Sequence, residues 1–230
     1  EDLLTRYTPI VYDPAATCPR WHQFLREIFV KRENGDLLPD EELIAWMAKA
    51  VGYGLTGDVC EHCFFLLHGD GRNGKGVFTR VISKLAGDAA DSTGFETFTS
   101  SKKDGNKNSP ETARLAGARL VVAGEAEQGV RFNESMIKLL TGGDKISACG
   151  KYTDPFTYFP IYKIFLHANY LPRIRGTDDG VWSRVRLIPF LRQFTGKDGN
   201  SAPDKMLEDK LEAELPGILS WAVNGAIEWY

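Results

Sequence analysis

Phe64-Phe65-Leu66-Leu67-His68-Gly69-Asp70-Gly71-Arg72-Asn73-Gly74-Lys75-Gly76 is the stretch from which the rest of the chain is read. Four apolar residues run into a glycine-rich turn, a lysine follows, and Val77 to Leu85 carries helical periodicity. Strand, loop and helix N-terminus in this order make the arrangement that takes nucleotide phosphates. Glycines let the backbone turn its N–H groups inward, the helix end adds partial positive charge, and the lysine reaches the terminal phosphates. Gly69, Gly74 and Lys75 satisfy G-x-x-x-x-G-K, but Gly76 stands where a serine or threonine usually holds magnesium. The expected nucleotide contacts are Gly69, Asp70, Gly71, Arg72, Asn73, Gly74, Lys75, Gly76 and Val77. An ordinary glycine turn between strand and helix has the same look, so the motif needs partners.

The totals narrow the classes. A chain of 230 residues can bury a real core, and its 43% hydrophobic and 26% charged content is ordinary for a globular protein. The net charge of −3 excludes a basic protein that coats nucleic acid, so any such contact must come from a local patch or an assembled pore. No apolar stretch approaches the ~20 residues of a membrane helix, and no signal peptide is evident. The first residue is Glu1, which suggests excision from a longer protein; the expected setting is the cytoplasm. Cys60-Glu61-His62-Cys63 is a lone C-x-x-C with no second ligand pair, so reduced thiols are expected rather than a zinc site.

Residues 1–18 read as an extended entry segment with Tyr7-Thr8-Pro9 and Tyr12-Asp13-Pro14. Trp21, Phe24, Leu25, Ile28 and Phe29 predict an amphipathic helix over 19–32, ended by Asn34-Gly35. Asp40 caps a second helix from Glu41 to about Val51, after which Gly52, Gly54 and Gly57 break the pattern. Residues 1–60 thus form a helical N-terminal unit, 61–192 the nucleotide core and 193–230 a helical C-terminal segment. Ser100 to Asn108 has three lysines and no apolar residue, and reads either as a solvated loop or as one that meets a polyanion. Leu120-Val121-Val122-Ala123 is a buried strand followed by Glu125 and Glu127. Carboxylates at such a strand end can hold magnesium and orient an attacking water, or simply be solvated. Asn133 caps a short helix that stops at Gly142-Gly143-Asp144, and residues 145–160 predict a hairpin around Lys151 and Tyr152. Tyr162 to Ala168 is another buried strand, with Asn169 at its end to contact a terminal phosphate or its attacking water. Arg184 and Arg186 precede a last strand, Leu187 to Phe190, as surface residues or as charge stabilisers for phosphoryl transfer.

Taken in order, Gly-Asp-Gly-Arg-Asn-Gly-Lys-Gly (69–76), Arg-Leu-Val-Val-Ala-Gly-Glu-Ala-Glu (119–127), Lys-Leu-Leu-Thr-Gly-Gly-Asp (138–144), His-Ala-Asn-Tyr-Leu-Pro (167–172) and Trp-Ser-Arg-Val-Arg-Leu-Ile-Pro-Phe (182–190) resemble a family. It is the superfamily 3 helicases of the phage/plasmid and poxvirus primase–helicase type. The resemblance implies an α/β fold, an AAA+-like P-loop NTPase core with a mainly parallel sheet and helices on both faces, assembled as a hexameric ring. It implies ATP and Mg2+ at subunit interfaces and single-stranded DNA in a central pore, with a primase domain possible in the same full-length chain. Lys75 would be the phosphate lysine, Glu125 and Glu127 the magnesium and water-activating carboxylates, and Asn169 the sensor. Arg184 matches the arginine finger, with Arg186 in reserve, and Lys151 and Tyr152 fall at the DNA-contacting hairpin tip. Six copies of one or two basic hairpin residues could line a pore without making the whole chain basic. Two other readings stand beside this one: a small-molecule kinase or NTPase, and a nucleotide-binding scaffold that hydrolyses poorly, which Gly76 favours.

Overall fold

The computed structural model describes residues 6–99, 110–124, 129–152, 154–172, 179–197 and 201–230. In chain order the elements are α1 (Pro19–Ile28), β1 (Val30–Glu33), β2 (Asp36–Pro39), α2 (Glu41–Leu55), β3 (Phe64–His68), α3 (Lys75–Ala86), β4 (Ala90–Thr93), α4 (Pro110–Arg114), β5 (Leu120–Ala123), α5 (Glu134–Thr141), β6 (Ile146–Ala148), β7 (Phe156–Tyr158), β8 (Lys163–Ala168), α6 (Asp179–Trp182), β9 (Val185–Pro189), α7 (Leu207–Glu212) and α8 (Leu215–Trp229). The chain forms two compact units. One comprises Glu1–Thr56, Gly69–Gly87 and Pro189–Tyr230, the other Gly57–His68 and Asp88–Ile188.

The first unit is helical around an aromatic core. The Trp21 ring stacks on Phe78 at 5.8 Å and meets Trp221 edge-on at 5.5 Å, and Phe29 meets Phe190 at 5.2 Å. Cys18 offers α1 no side-chain cap, so the carboxylate of Glu214 accepts from the N–H groups of Arg20 (3.0 Å) and Trp21 (2.9 Å). A carboxylate there also complements the helix dipole. The helix expected over 19–32 stops at Ile28, and a β1–β2 hairpin follows. Asn34 (φ 52°) and Gly35 (φ 95°) form its two-residue turn, the pair that favours hairpins because both positions need positive φ.

Asp40 caps α2 as expected, accepting from the N–H of Leu43 at 3.1 Å. The helix does not end near Val51, however, but runs through both glycines to Leu55. Gly52 is a close-approach residue: an added Cβ would lie 2.3 Å from Ala226 N and 2.4 Å from Ala222 O, both backbone atoms of α8. Alanine has the better helix propensity by about 1 kcal/mol. It would nonetheless force two packed helices apart. Gly52→Ala is therefore expected to lower stability by a net ~1–3 kcal/mol, and a denaturant midpoint at or above wild type would show that the helices are free to separate.

The second unit is built on a five-stranded sheet of order β4-β5-β8-β3-β9. The pairs β4–β5, β5–β8 and β8–β3 are parallel, with Val121 opposite Ile164 and Leu66 opposite Leu166. Side chains two apart share a face, so Phe64, Leu66, Val121, Ala123, Ile164, Leu166 and Ala168 form one core with Ile137 and Leu140 of α5 and with Phe95, Phe98 and Phe132. Phe65, Leu67 and Phe165 on the other face are buried too, which is how parallel strands sit. The edge strand β4 is absent from the sequence reading because Ala-Asp-Ser-Thr lacks the apolar run of its buried neighbours. Lys163 opens β8 almost fully buried, donating to the carbonyl of Asp58 at 2.7 Å, and burial pushes its pKa down to about 7. Residues 145–160 do form the expected hairpin, with Ala148 opposite Phe156. The lysine-rich stretch of Ser100 to Asn108 lies outside the described residues.

Candidate nucleotide-binding site

The chain leaves β3 at His68 and turns through Gly69 (φ 152°), Arg72 (φ 61°) and Gly74 (φ 91°) before α3 begins at Lys75. Glycine is required at two of these positions. A Cβ on Gly69 would stand 2.3 Å from Phe190 O, and one on Gly74 2.6 Å from Ile28 Cγ2, besides the strain of the left-handed backbone. Arg72 carries such a backbone without that exemption, at a cost of about 1–2 kcal/mol. Two bonds hold the turn in place: the backbone N–H of Phe194 donates to Arg72 O at 2.8 Å, and the Gln193 side-chain Nε2 to Gly71 O at 3.3 Å. The Lys75 ammonium donates to the carbonyls of Gly69 and Asp70 and the residue is 3% exposed. Asn73 is as buried, receives the Lys75 N–H on its Oδ1 at 3.4 Å, and leaves its Nδ2 with no hydrogen-bond partner. A buried cation and a buried spare donor under a glycine turn at a helix N-terminus fit an anionic group such as a polyphosphate.

Beside this turn lies a cavity of about 430 Å³ lined by Arg20, Phe24 and Glu27 of α1, Arg72, Gly74 and Val77 of the loop and α3, and Phe194, Ser201, Ala202, Pro203, Asp204 and Leu207. Its size and its mix of aromatic wall and charged rim suit a nucleoside. The Arg20–Glu27 pair (3.3 Å) lies on one side. Sequence reading missed this wall because three stretches distant in the chain build it and none carries a motif. Only Arg72, Gly74 and Val77 were expected.

Gly76 has room for a side chain, since the atoms nearest to a Cβ there belong to the Arg80 guanidinium, with Nη1 at 3.1 Å. That guanidinium ends a flexible chain paired with Glu208 on α7. Thr79, one turn later, is buried and donates its hydroxyl to Lys75 O (3.1 Å) and Gly76 O (3.3 Å). Those bonds commit it to the helix. Glu125 and Glu127 lie outside the described residues. Gly76→Ser is accordingly expected to fold with a melting temperature near wild type, and Glu125→Ala to weaken magnesium binding more than Thr79→Ala. Isothermal titration with the metal and an ATP analogue reads both; the reverse order would put the metal on the helix.

In the sheet, parallel pairing sets the C-terminal ends of β3, β5 and β8 along one edge, with β8 between the other two. Asn169 follows β8 directly and is half-buried. Arg184 is half-buried, donating from Nη1 to Gly180 O at 2.8 Å, with its Nε enclosed and lacking a partner. Arg186 donates to Ser183 O at 2.6 Å in a more exposed setting. At the hairpin tip Tyr152 is 94% exposed at φ 64°, and the Lys151 ammonium stands 5.3 Å from its ring centroid. The described residues contain no group of three or more potential metal ligands, and no described helix is long and apolar enough to cross a membrane.

Fold and loop together define a mixed α/β protein with a parallel sheet and a glycine-rich turn that fits phosphate. Residues 67–184 match DUF5906, a family of unknown function, and the chain belongs to that family. Residues 1–30 match the D5 N terminal like family. The chain is 32% identical over 156 residues to a protein of Acanthamoeba polyphaga mimivirus and 30% identical over 171 residues to one of Frog virus 3, each bearing the name "Putative helicase". A protein of the same name from Invertebrate iridescent virus 6 is 27% identical over 216 residues. These matches cover 68%, 73% and 92% of this chain but only 16%, 18% and 22% of the relatives. Among solved structures, the NrS-1 C terminal region superposes with a TM-score of 0.67 at 11% identity, covering 94% of this chain and 47% of that one. At that identity the likeness is one of fold.

Proposed function

We propose that this chain is the ATP-dependent motor module of a DNA helicase, of the superfamily 3, AAA+-like kind. The observation that carries the reading is the turn at Gly69–Lys75, with its positive-φ glycines, buried lysine and spare Asn73 donor at the head of α3. The name that the viral relatives share supports the helicase assignment.

In this reading the loop N–H groups and Lys75 hold the β- and γ-phosphates of ATP, and the cavity beside the loop takes the nucleoside. Glu125 and Glu127 would hold Mg2+ and align water, and Asn169 would sense the γ-phosphate. Magnesium supplies charge neutralisation of the leaving phosphates; the lysine supplies a fixed positive charge where negative charge grows. Arg184, or Arg186 in its place, reaches the site of a neighbouring copy in a hexameric ring. The β6–β7 hairpin carries Lys151 and Tyr152 to single-stranded DNA in the pore. The reading allows for a primase domain in the same full-length chain.

Gly76 favours a second reading, a nucleotide-dependent scaffold with weak turnover, because the metal loses its usual hydroxyl ligand. Mass measurement with and without a non-hydrolysable ATP analogue, paired with turnover assays, separates the two. A motor assembles and hydrolyses; a scaffold assembles and hydrolyses poorly. A monomer under both conditions would remove the ring from the account.

A further inference from the structure

The hairpin tip has two properties that a purely phosphate-gripping loop would not need. The first is its charge. From Asp144 to Pro160 the cations Lys145 and Lys151 are matched by the anions Asp144 and Asp154. Copies of this hairpin lining a pore would add no net positive charge and offer one tip lysine each to a phosphate, which leaves room for a contact of another kind. The second is Tyr152. It stands 94% exposed on a left-handed backbone (φ 64°), where glycine or asparagine would sit more easily. Backbone strain kept at a loop tip, holding a large ring out in water, points from the outlier toward a binding role.

We infer that Tyr152 is a stacking platform for an unpaired nucleobase, so the hairpin takes single-stranded DNA by its bases more than by its phosphates. This rests on the DNA-motor reading above. A tyrosine ring gives any base a π-face, which makes the grip tolerant of sequence, as a translocating motor needs. Lys151 holds its ammonium over one face of the ring, 5.3 Å from the centroid, so a base would stack on the opposite face and its phosphate would lie within reach of that cation. Phe156 supplies a second aromatic lower on the hairpin. It is 39% exposed and its ring lies 6.1 Å from that of Tyr158, which is anchored by donating its hydroxyl to Thr112 O at 2.7 Å. Duplex DNA keeps its bases stacked on each other and offers no such face to a single ring.

The test compares fluorescence anisotropy for an oligothymidine and for an abasic oligomer of equal length and phosphate count, with ATP analogue present. The wild-type chain is expected to bind the oligothymidine about 10-fold or more tightly than the abasic strand. Tyr152→Gly is expected to erase that difference, and Tyr152→Phe to keep it. Glycine relaxes at this φ, so a folding defect does not confuse the result. Equal affinity of the wild-type chain for the two oligomers, or full oligothymidine binding by Tyr152→Gly, overturns the stacking platform while leaving the motor intact. Binding to neither oligomer together with absent turnover overturns the motor reading as well. If Tyr152→Gly alters only the mass of the assembly, the tip is a contact between copies and the inference is wrong.

Discussion

Lys75→Ala is expected to reduce ATP turnover by about 10²-fold or more while leaving the fold intact. The ammonium is the charge that the loop holds ready, buried and bonded to the carbonyls of Gly69 and Asp70. An ATP γ-phosphate would draw it off those carbonyls, and its contribution would grow as charge builds on the transferring group. Alanine loses this and cannot be replaced by water, which brings no charge. The folding cost is smaller. Two loop carbonyls lose a donor, worth ~1–2 kcal/mol, against a total of about 5–15 kcal/mol for a domain. Alanine also suits the first position of α3. Circular dichroism should therefore match wild type while turnover vanishes; near-normal turnover would remove the phosphate-loop assignment.

Arg184→Ala is expected to bind ATP normally and hydrolyse it about 10³-fold more slowly or worse, the range seen for arginine fingers. The arginine would act on the nucleotide of a neighbouring copy, so its loss leaves the subunit's own loop untouched. Mixing makes this decisive. In a head-to-tail ring, Arg184→Ala subunits keep an intact loop and Lys75→Ala subunits keep an intact finger. Random mixing then rebuilds a complete site at about a quarter of interfaces, so two inactive proteins should regain measurable turnover together. The structure also shows what else the substitution removes. Arg184 Nη1 bonds to Gly180 O, so some loss of order around α6 is expected, on the scale of about 1 kcal/mol. Arg186, whose bond to Ser183 O is more exposed, gives the second arm of the test. If Arg186→Ala is the inactive protein that mixing rescues, the finger is two residues further on. If mixing rescues neither, the stabilising charge does not come from a neighbouring copy.

Much of the frame was legible because its signals are local. The run from Phe64 to Gly76 told of strand, turn and helix in one reading, and Leu120–Ala123 and Tyr162–Ala168, with its Ile164-Phe165-Leu166 centre, announced buried strands. Asp40 and Asn133 marked helix starts by a side chain that bonds three residues on. The misreadings arose where one residue type serves two ends. Gly52 and Gly54 resemble helix breakers in sequence, yet Gly52 is there so that α8 can come close. Phe29 extends the helical pattern of α1, yet Asn34-Gly35 fixes a hairpin just beyond it. The edge strand β4 has no apolar signature to read. The cavity beside the loop was invisible for a different reason. Phe24, Phe194 and Leu207 meet only after folding, and each alone reads as ordinary core.

Gly76 keeps its place as the most informative oddity of the loop. The position has space and Thr79 is bonded into α3, so the proposed magnesium site would lean on Glu125 and Glu127. Whether the loop drives a motor is decided by steady-state ATP hydrolysis measured as single-stranded DNA is titrated in, for wild type and Lys75→Ala side by side. The account predicts turnover that rises with DNA in the wild-type chain and is absent at every DNA concentration in the variant. Turnover that ignores DNA, or that survives the loss of Lys75, would contradict it.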